Sequence, residues 1–201
     1  MAGTIDFYFD FSSPYGYFAA SRIDELAAKY GRNVNWHPLL LGVVFKTTGG
    51  MPLPTIPLKG DYVFRDWERT ARFHDIPYHR PAVFPLSTQA AARAMLWVRA
   101  VLGDAKAVQL AKAIFRAYFV DDINIGEPSN IARIGSGIGI DPATLSEGLN
   151  STPIKDQLKN EIAQAMARGV FGSPLIIADG EPFWGFDRFD QLEALLKNGN
   201  I

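Results

Sequence analysis

Cysteine is absent from all 201 residues, which excludes disulfides, thiolate metal sites and redox chemistry carried by the protein's own sulfur. A thiol, if the chemistry uses one, has to arrive with a ligand. Histidine is scarce: His37, His74 and His79 lack HExxH-like spacing, so each reads as a structural or surface residue and no metal site is expected. No apolar run approaches the roughly 20 residues that span a bilayer. No basic segment followed by an apolar stretch and a small-residue cleavage site is found either, so the expectation is a cytoplasmic enzyme or binding protein. A net charge of −1 gives no electrostatic reason for a nucleic-acid or membrane partner. Repeats and low-complexity segments are lacking too.

What is present suits one well-buried domain, with 48% hydrophobic and 20% charged residues. In IDFYFDF, Ile5, Phe7, Phe9 and Phe11 alternate with Asp6, Tyr8 and Asp10, the period of a strand. Tyr15, Phe18, Ala19, Ile23, Leu26, Ala27 and Tyr30 then recur at helical spacing, with Gly31 as a stop. A second strand is predicted over 33–41, parallel to the first. Residues 42–60, rich in Gly and Pro, read as an ordered functional loop. From Asp61 to about Gly169 the pattern is helical. Asp61, Ser87 or Thr88, Asp104, Asp141 and Thr152 are the predicted helix starts, the last two followed by Pro. LIIA at 175–178, the Asp179-Gly180 turn and PFWG then form a hairpin before a last helix striped with Phe189, Leu192, Leu195 and Leu196. An all-helical block between two mixed segments implies an α/β core interrupted by a helical insertion, with a cleft between them as ligand site.

Chemistry concentrates at SSPYGYF. Ser13 before Pro14 is a helix cap on local grounds alone. The same geometry suits an anion, because first-turn N–H groups and a serine hydroxyl both favour negative charge there and would lower the pKa of a bound thiol. No GxSxG elbow supports a hydrolase nucleophile. Ser173-Pro174, just before a strand, is compatible with a cis peptide that presents backbone groups to an extended ligand. Asp187 reads as an N-cap or as an acceptor for a ligand ammonium. Lys46 and Lys59 are solvated lysines or carboxylate holders. Arg65, Arg69 and Arg72 read as a solvated helix face.

FYFDFSSPYGYFAA, the spacing of Lys59, Tyr62, Asp66 and Arg69 in KGDYVFRDWERTARF, ARGVFGSP and WGFDRFDQLEALL occur in an order that resembles the 2-hydroxychromene-2-carboxylate isomerase family. That family is related to kappa-class glutathione transferases and DsbA-like thioredoxin proteins. The resemblance implies a thioredoxin-like domain formed by 1–60 and 169–201, interrupted by a helical insertion at 61–168. It implies glutathione as cofactor, with Ser13 at the sulfur and the segment Val170 to Pro174, including Ser173, pairing by backbone with the tripeptide. Trp184, Gly185, Phe186 and Asp187 would take the γ-glutamyl end, and Lys59 would contact glutathione. Lys46 would bind the substrate, a small aromatic carboxylate, and relatives make a homodimer plausible. Two departures stand out: Gly50 falls where kappa-like proteins tend to have Asn, and Phe186 replaces a polar residue. The implied activity is glutathione-dependent cis-trans isomerisation of 2-hydroxychromene-2-carboxylate or an analogue in aromatic degradation. The alternatives are a kappa-like transferase or a non-catalytic thioredoxin-fold binding module. Thiol-disulfide exchange is excluded, since serine stands where Cys-x-x-Cys would be.

Overall fold

The computed structural model describes residues 3–201. Its sheet has four strands, β1 (Ile5–Phe9), β2 (Val34–Pro38), β3 (Leu175–Ala178) and β4 (Glu181–Trp184), in the order β2-β1-β3-β4. β1 runs parallel to β2, with Phe7 opposite Trp36, and antiparallel to β3, with Phe7 opposite Ile176. β3 and β4 form the expected hairpin, with both turn residues in the left-handed region, Asp179 at φ 52° and Gly180 at φ 88°.

The alternation in β1 places Ile5, Phe7 and Phe9 fully inside. The opposite side is not a solvated face, as alternation alone implies. Tyr8 is buried among Leu39, Ala165, Val170 and Leu175. Asp6 binds Arg168 at 2.7 Å and His37 at 3.1 Å. β1 is therefore central, covered on both sides, and its polar residues are accommodated by partners rather than water.

Between β1 and β2 the single predicted helix is two, α1 (Pro14–Ala20) and α2 (Ile23–Lys29). Ser21 Oγ donates to the Phe18 carbonyl at 2.7 Å, a local side-chain bond of the kind that competes with the helical ladder. Residues 42–60 are largely not a loop. α3 (Leu41–Thr48) ends on Gly49 at φ 73°, and Leu53–Thr55 makes a 3₁₀ turn. The helix starts were only partly legible. α4 (Lys59–Phe73) begins two residues before Asp61, which lies in its first turn. α5 (Gln89–Leu102), α6 (Asp104–Phe119), α7 (Pro128–Ser136) and α8 (Pro142–Asn150) follow. Asp141 caps α8, accepting from Thr144 N at 2.8 Å. In α9 (Thr152–Ala167) the cap position belongs to Ser151, and Thr152 is already helical. α10 (Phe189–Asn198) closes the chain.

One hydrophobic core joins sheet, α1 and insertion. Phe9 meets Phe11 at 5.1 Å, Phe11 meets Phe115 of α6 at 5.0 Å, and Tyr17 stacks on Phe119 at 5.2 Å. Aromatic pairs at such spacings add to the burial energy of their rings. The open ends of β1 and β3, the start of α1 and the start of α5 therefore meet at one place.

Candidate functional site

That place is a cleft of about 1530 Å³ with more apolar than polar lining. At its base, β1 turns into α1 through Asp10, Phe11 and Ser12. Ser13 is indeed the cap of α1: its Oγ accepts from Gly16 N at 3.0 Å. The same hydroxyl donates to the Ser173 carbonyl at 2.9 Å, across the cleft floor from the Ser173-Pro174 peptide, which is cis. Ser13 is buried, yet it lines the cleft. Ser12, its neighbour, directs both backbone N–H and hydroxyl at Asp10 Oδ1, at 2.8 and 2.9 Å.

Asp10 is the residue that sequence reading undervalued, as one more polar position on a strand. Its buried carboxylate receives Thr88 Oγ1 from the start of α5 at 2.8 Å and Leu41 N from the start of α3 at 2.6 Å. Its own N–H donates to Ser173 Oγ at 2.9 Å. Burial pushes the Asp10 carboxyl upward, while donors from Ser12, Leu41 and Thr88 oppose that rise. Leu40, the cap position of α3, offers no side-chain bond, so Asp10 supplies that cap from 31 residues away. The only local signal was an Asp two residues before Ser12, the spacing of an Asx turn.

A second cluster stands on the α4 wall. Tyr15 donates to Asp66 Oδ2 at 2.5 Å, and Asp66 Oδ1 receives Tyr62 and Arg69. Burial acts to raise Asp66, but the bonds from Tyr15, Arg69 and Tyr62 hold its carboxyl below the usual range. Tyr15 is pushed well above an ordinary phenol by burial and by Asp66 beside it, in keeping with its donating to that carboxylate. Arg69 is thus paired rather than merely solvated, whereas Arg65 and Arg72 are exposed.

Of the residues singled out from sequence, Ser13, Lys46, Ser173, Pro174, Trp184, Gly185, Phe186 and Asp187 all line this cleft. Gly50 does as well, next to Met51 and Leu53 of the facing wall. Lys46 is exposed in the last turn of α3. Lys59, the first residue of α4, is exposed and not among the lining residues. Val170 also does not line the cleft: it is buried against Tyr8 and Leu39 and anchors the loop from below. Phe186 is buried, packed on Phe18 and edge-on to His74. Asp187 does not cap α10, whose cap position is Arg188; its carboxylate is 72% exposed, 3.5 Å from the Arg188 guanidinium. Trp184, 58% exposed, forms the rim with Phe171 at 5.1 Å. Gly185 N bonds the Pro174 carbonyl at 3.0 Å, tying the γ-glutamyl candidate segment to the proline loop.

His37, His74 and His79 lie in different settings, and no group of three or more His, Asp or Glu that could hold a metal occurs among the described residues. No helix among them is long and apolar enough to cross a membrane.

A thioredoxin-like sheet, a serine at the first helix and a cis proline facing it define a class. The model of the DsbA-like thioredoxin domain matches residues 4–197, and the chain belongs to that family. Within it, the chain belongs to the 2-hydroxychromene-2-carboxylate isomerase family: it is 30% identical to the enzyme of that name from Sphingobium xenophagum over 198 residues, covering 98% of this chain and 99% of the relative. A solved 2-hydroxychromene-2-carboxylate isomerase superposes with a TM-score of 0.88 at 27% identity, covering 97% of this chain and 95% of the other. Human glutathione S-transferase kappa 1 is 26% identical over 204 residues, covering 96% and 90% of the two chains.

Proposed function

We propose that this protein is a glutathione-dependent cis-trans isomerase acting on 2-hydroxychromene-2-carboxylate, or a close analogue from aromatic degradation, to give trans-o-hydroxybenzylidenepyruvate. The observation that carries the reading is the convergence of the Ser13 hydroxyl and the Ser173 carbonyl on the floor of a mostly apolar cleft. The donor set fits a thiol peptide: a hydroxyl for sulfur, a backbone segment before Pro174, and the exposed Asp187 carboxylate for an ammonium. Full-length relatives named for this reaction support it.

Glutathione, when bound, supplies a thiol that adds reversibly to a conjugated double bond, making it a rotatable single bond, and is regained when the thiol leaves. The protein's part is to place and charge that sulfur. Ser13 supplies an O–H donor to the ionised form, lowering the thiol pKa from its free value of about 8.5 toward neutrality. The carbonyl of Ser173 carries two lone pairs, so it can accept a peptide N–H while Ser13 turns to the sulfur. Lys46 at the mouth holds the substrate carboxylate, and the apolar wall of Phe45, Met51 and Leu53 excludes water from its ring. Trp184 to Asp187 hold the γ-glutamyl end; Lys59 and Val170 would serve from outside the cleft lining, Lys59 by long-range charge and Val170 by fixing the loop.

The setting is the cytoplasm, where glutathione is reduced. Leu58, just before α4, and Tyr62 and Phe73 on it are exposed large apolar side chains, which supports a homodimer.

The test follows product absorbance with and without glutathione in wild type, Ser13→Ala and Ser12→Ala. Activity should require glutathione and fall at least tenfold in Ser13→Ala. Equal rates in wild type and Ser13→Ala would remove Ser13 from the mechanism. Stoichiometric loss of glutathione would instead indicate a transferase like the kappa relative.

A further inference from the structure

Two serine hydroxyls, not one, meet at the cleft floor, and hydrogen-bond accounting separates them. Ser13 Oγ has its proton engaged: it accepts from Gly16 N and donates to the Ser173 carbonyl, from which it must turn to reach a sulfur. Ser173 Oγ accepts from Asp10 N at 2.9 Å but donates to no protein group among the described residues. Ser173 is half-buried and lines the cleft, so its proton has the cleft as its outlet.

Gly16 shows how closely the two side chains converge. A Cβ at Gly16 would lie 2.9 Å from Ser173 Oγ and 3.3 Å from Ser13 Oγ, so both hydroxyls rest against the same bare Cα. Any larger residue would drive between them. The Asp10 N–H fixes one lone pair of Ser173 Oγ, which leaves the O–H to swing only through the remaining directions. Asp10 is itself held by Ser12, Leu41 and Thr88, so the anchor of this rotor is rigid.

We infer that Ser173, beyond its backbone, is a second O–H donor to the glutathione sulfur, and that the thiolate is held between the Ser13 and Ser173 hydroxyls. The inference rests on the glutathione reading above. A hydrogen bond to a charged acceptor is worth about 1.5–3 kcal/mol, which corresponds to roughly one to two pH units in the bound-thiol pKa. Two donors also give the sulfur a defined direction: a single hydroxyl permits it to swing about one axis, and a second removes that freedom.

The experiment titrates bound glutathione through the ultraviolet absorbance of the thiolate, in wild type, Ser13→Ala, Ser173→Ala and Ser173→Thr. Binding of glutathione and of S-methylglutathione is measured by calorimetry on the same proteins. Ser173→Ala should raise the bound-thiol pKa by about one unit, and Ser173→Thr should restore it. S-methylglutathione, which cannot ionise, should bind wild type and Ser173→Ala with similar affinity. Ser13→Ala should retain a bound-thiol pKa below that of free glutathione, an outcome independent of whether Ser173→Ala folds. An unchanged pKa in Ser173→Ala, or complete loss of the depression in Ser13→Ala, overturns the second donor while leaving the role of Ser13 intact. Absence of glutathione binding to wild type overturns both readings.

Discussion

Replacing Gly16 by alanine separates what this site needs for folding from what it needs for chemistry. The added methyl would sit 2.9 Å from Ser173 Oγ and 3.1 Å from Ser13 Cβ, where unstrained contacts are about 3.5 Å or more. The neighbours must retreat by roughly half an ångström. The Ser13 bonds to Gly16 N and to the Ser173 carbonyl, now 3.0 and 2.9 Å, then stretch toward the limit of a hydrogen bond. For stability the effects offset: alanine is favoured over glycine in a helix by up to about 1 kcal/mol, and a weakened Ser13 cap costs about 1 kcal/mol. With about 1 kcal/mol or more of strain from the crowded methyl added, the net loss is about 1–2 kcal/mol, a midpoint fall of roughly 2–8 °C for a chain of this size. Activity has no such offset. Misplacing one hydroxyl at a charged sulfur costs about 1.5–3 kcal/mol, or roughly 10- to 150-fold in kcat/KM. Thermal unfolding by circular dichroism and the glutathione-dependent absorbance assay on one preparation read both quantities. A variant with full activity would refute the claim that close approach of α1 to the Ser173 loop matters, and a fall of 10 °C or more would show the glycine to be structural.

Two further outcomes follow from the polar clusters. Asp10→Ala strands donors from Ser12, Leu41 and Thr88 and should cost about 3–5 kcal/mol in urea unfolding; a loss under 1 kcal/mol would mean water replaces the carboxylate freely. Tyr15→Phe removes a donor that helps hold Asp66 low, so its cost depends on pH. A depressed folded pKa gives stability that is full above the unfolded value of about 3.9 and lost as pH falls through the folded one. The stability gap between wild type and Tyr15→Phe should therefore be complete at pH 7 and narrow below about pH 4. A gap that widens in acid contradicts the assignment.

The sheet, the hairpin and the α-helical block were legible because each rests on local periodicity or turn chemistry: alternating Ile5, Phe7 and Phe9, the Asp179-Gly180 pair, the capping Asp141. What stayed hidden depends on partners distant in sequence. α3 was unreadable because Gly42, Thr47 and Thr48 weaken local propensity, and its N-terminus is capped by Asp10 rather than by Leu40. Ser13 could be singled out from the Ser-Pro junction. The unengaged proton of Ser173 could not, since it is defined only after Asp10 N and the Ser13 hydroxyl have found their partners. Lys59 and Val170 match a motif in spacing yet fall outside the cleft lining, a reminder that order along a chain fixes neighbours better than it fixes direction.

The aromatic seam from Phe9 through Phe11 to Phe115 bears on how ligands enter. Because sheet and insertion share one core, the two bodies have no clean plane along which to part as a hinge. The other wall is built differently: between Leu41 and Leu58 only Val44 is a buried side chain. Of the two sides of the cleft, the one carrying Lys46 and Met51 is therefore the side on which a change of shape would uncover the least apolar core.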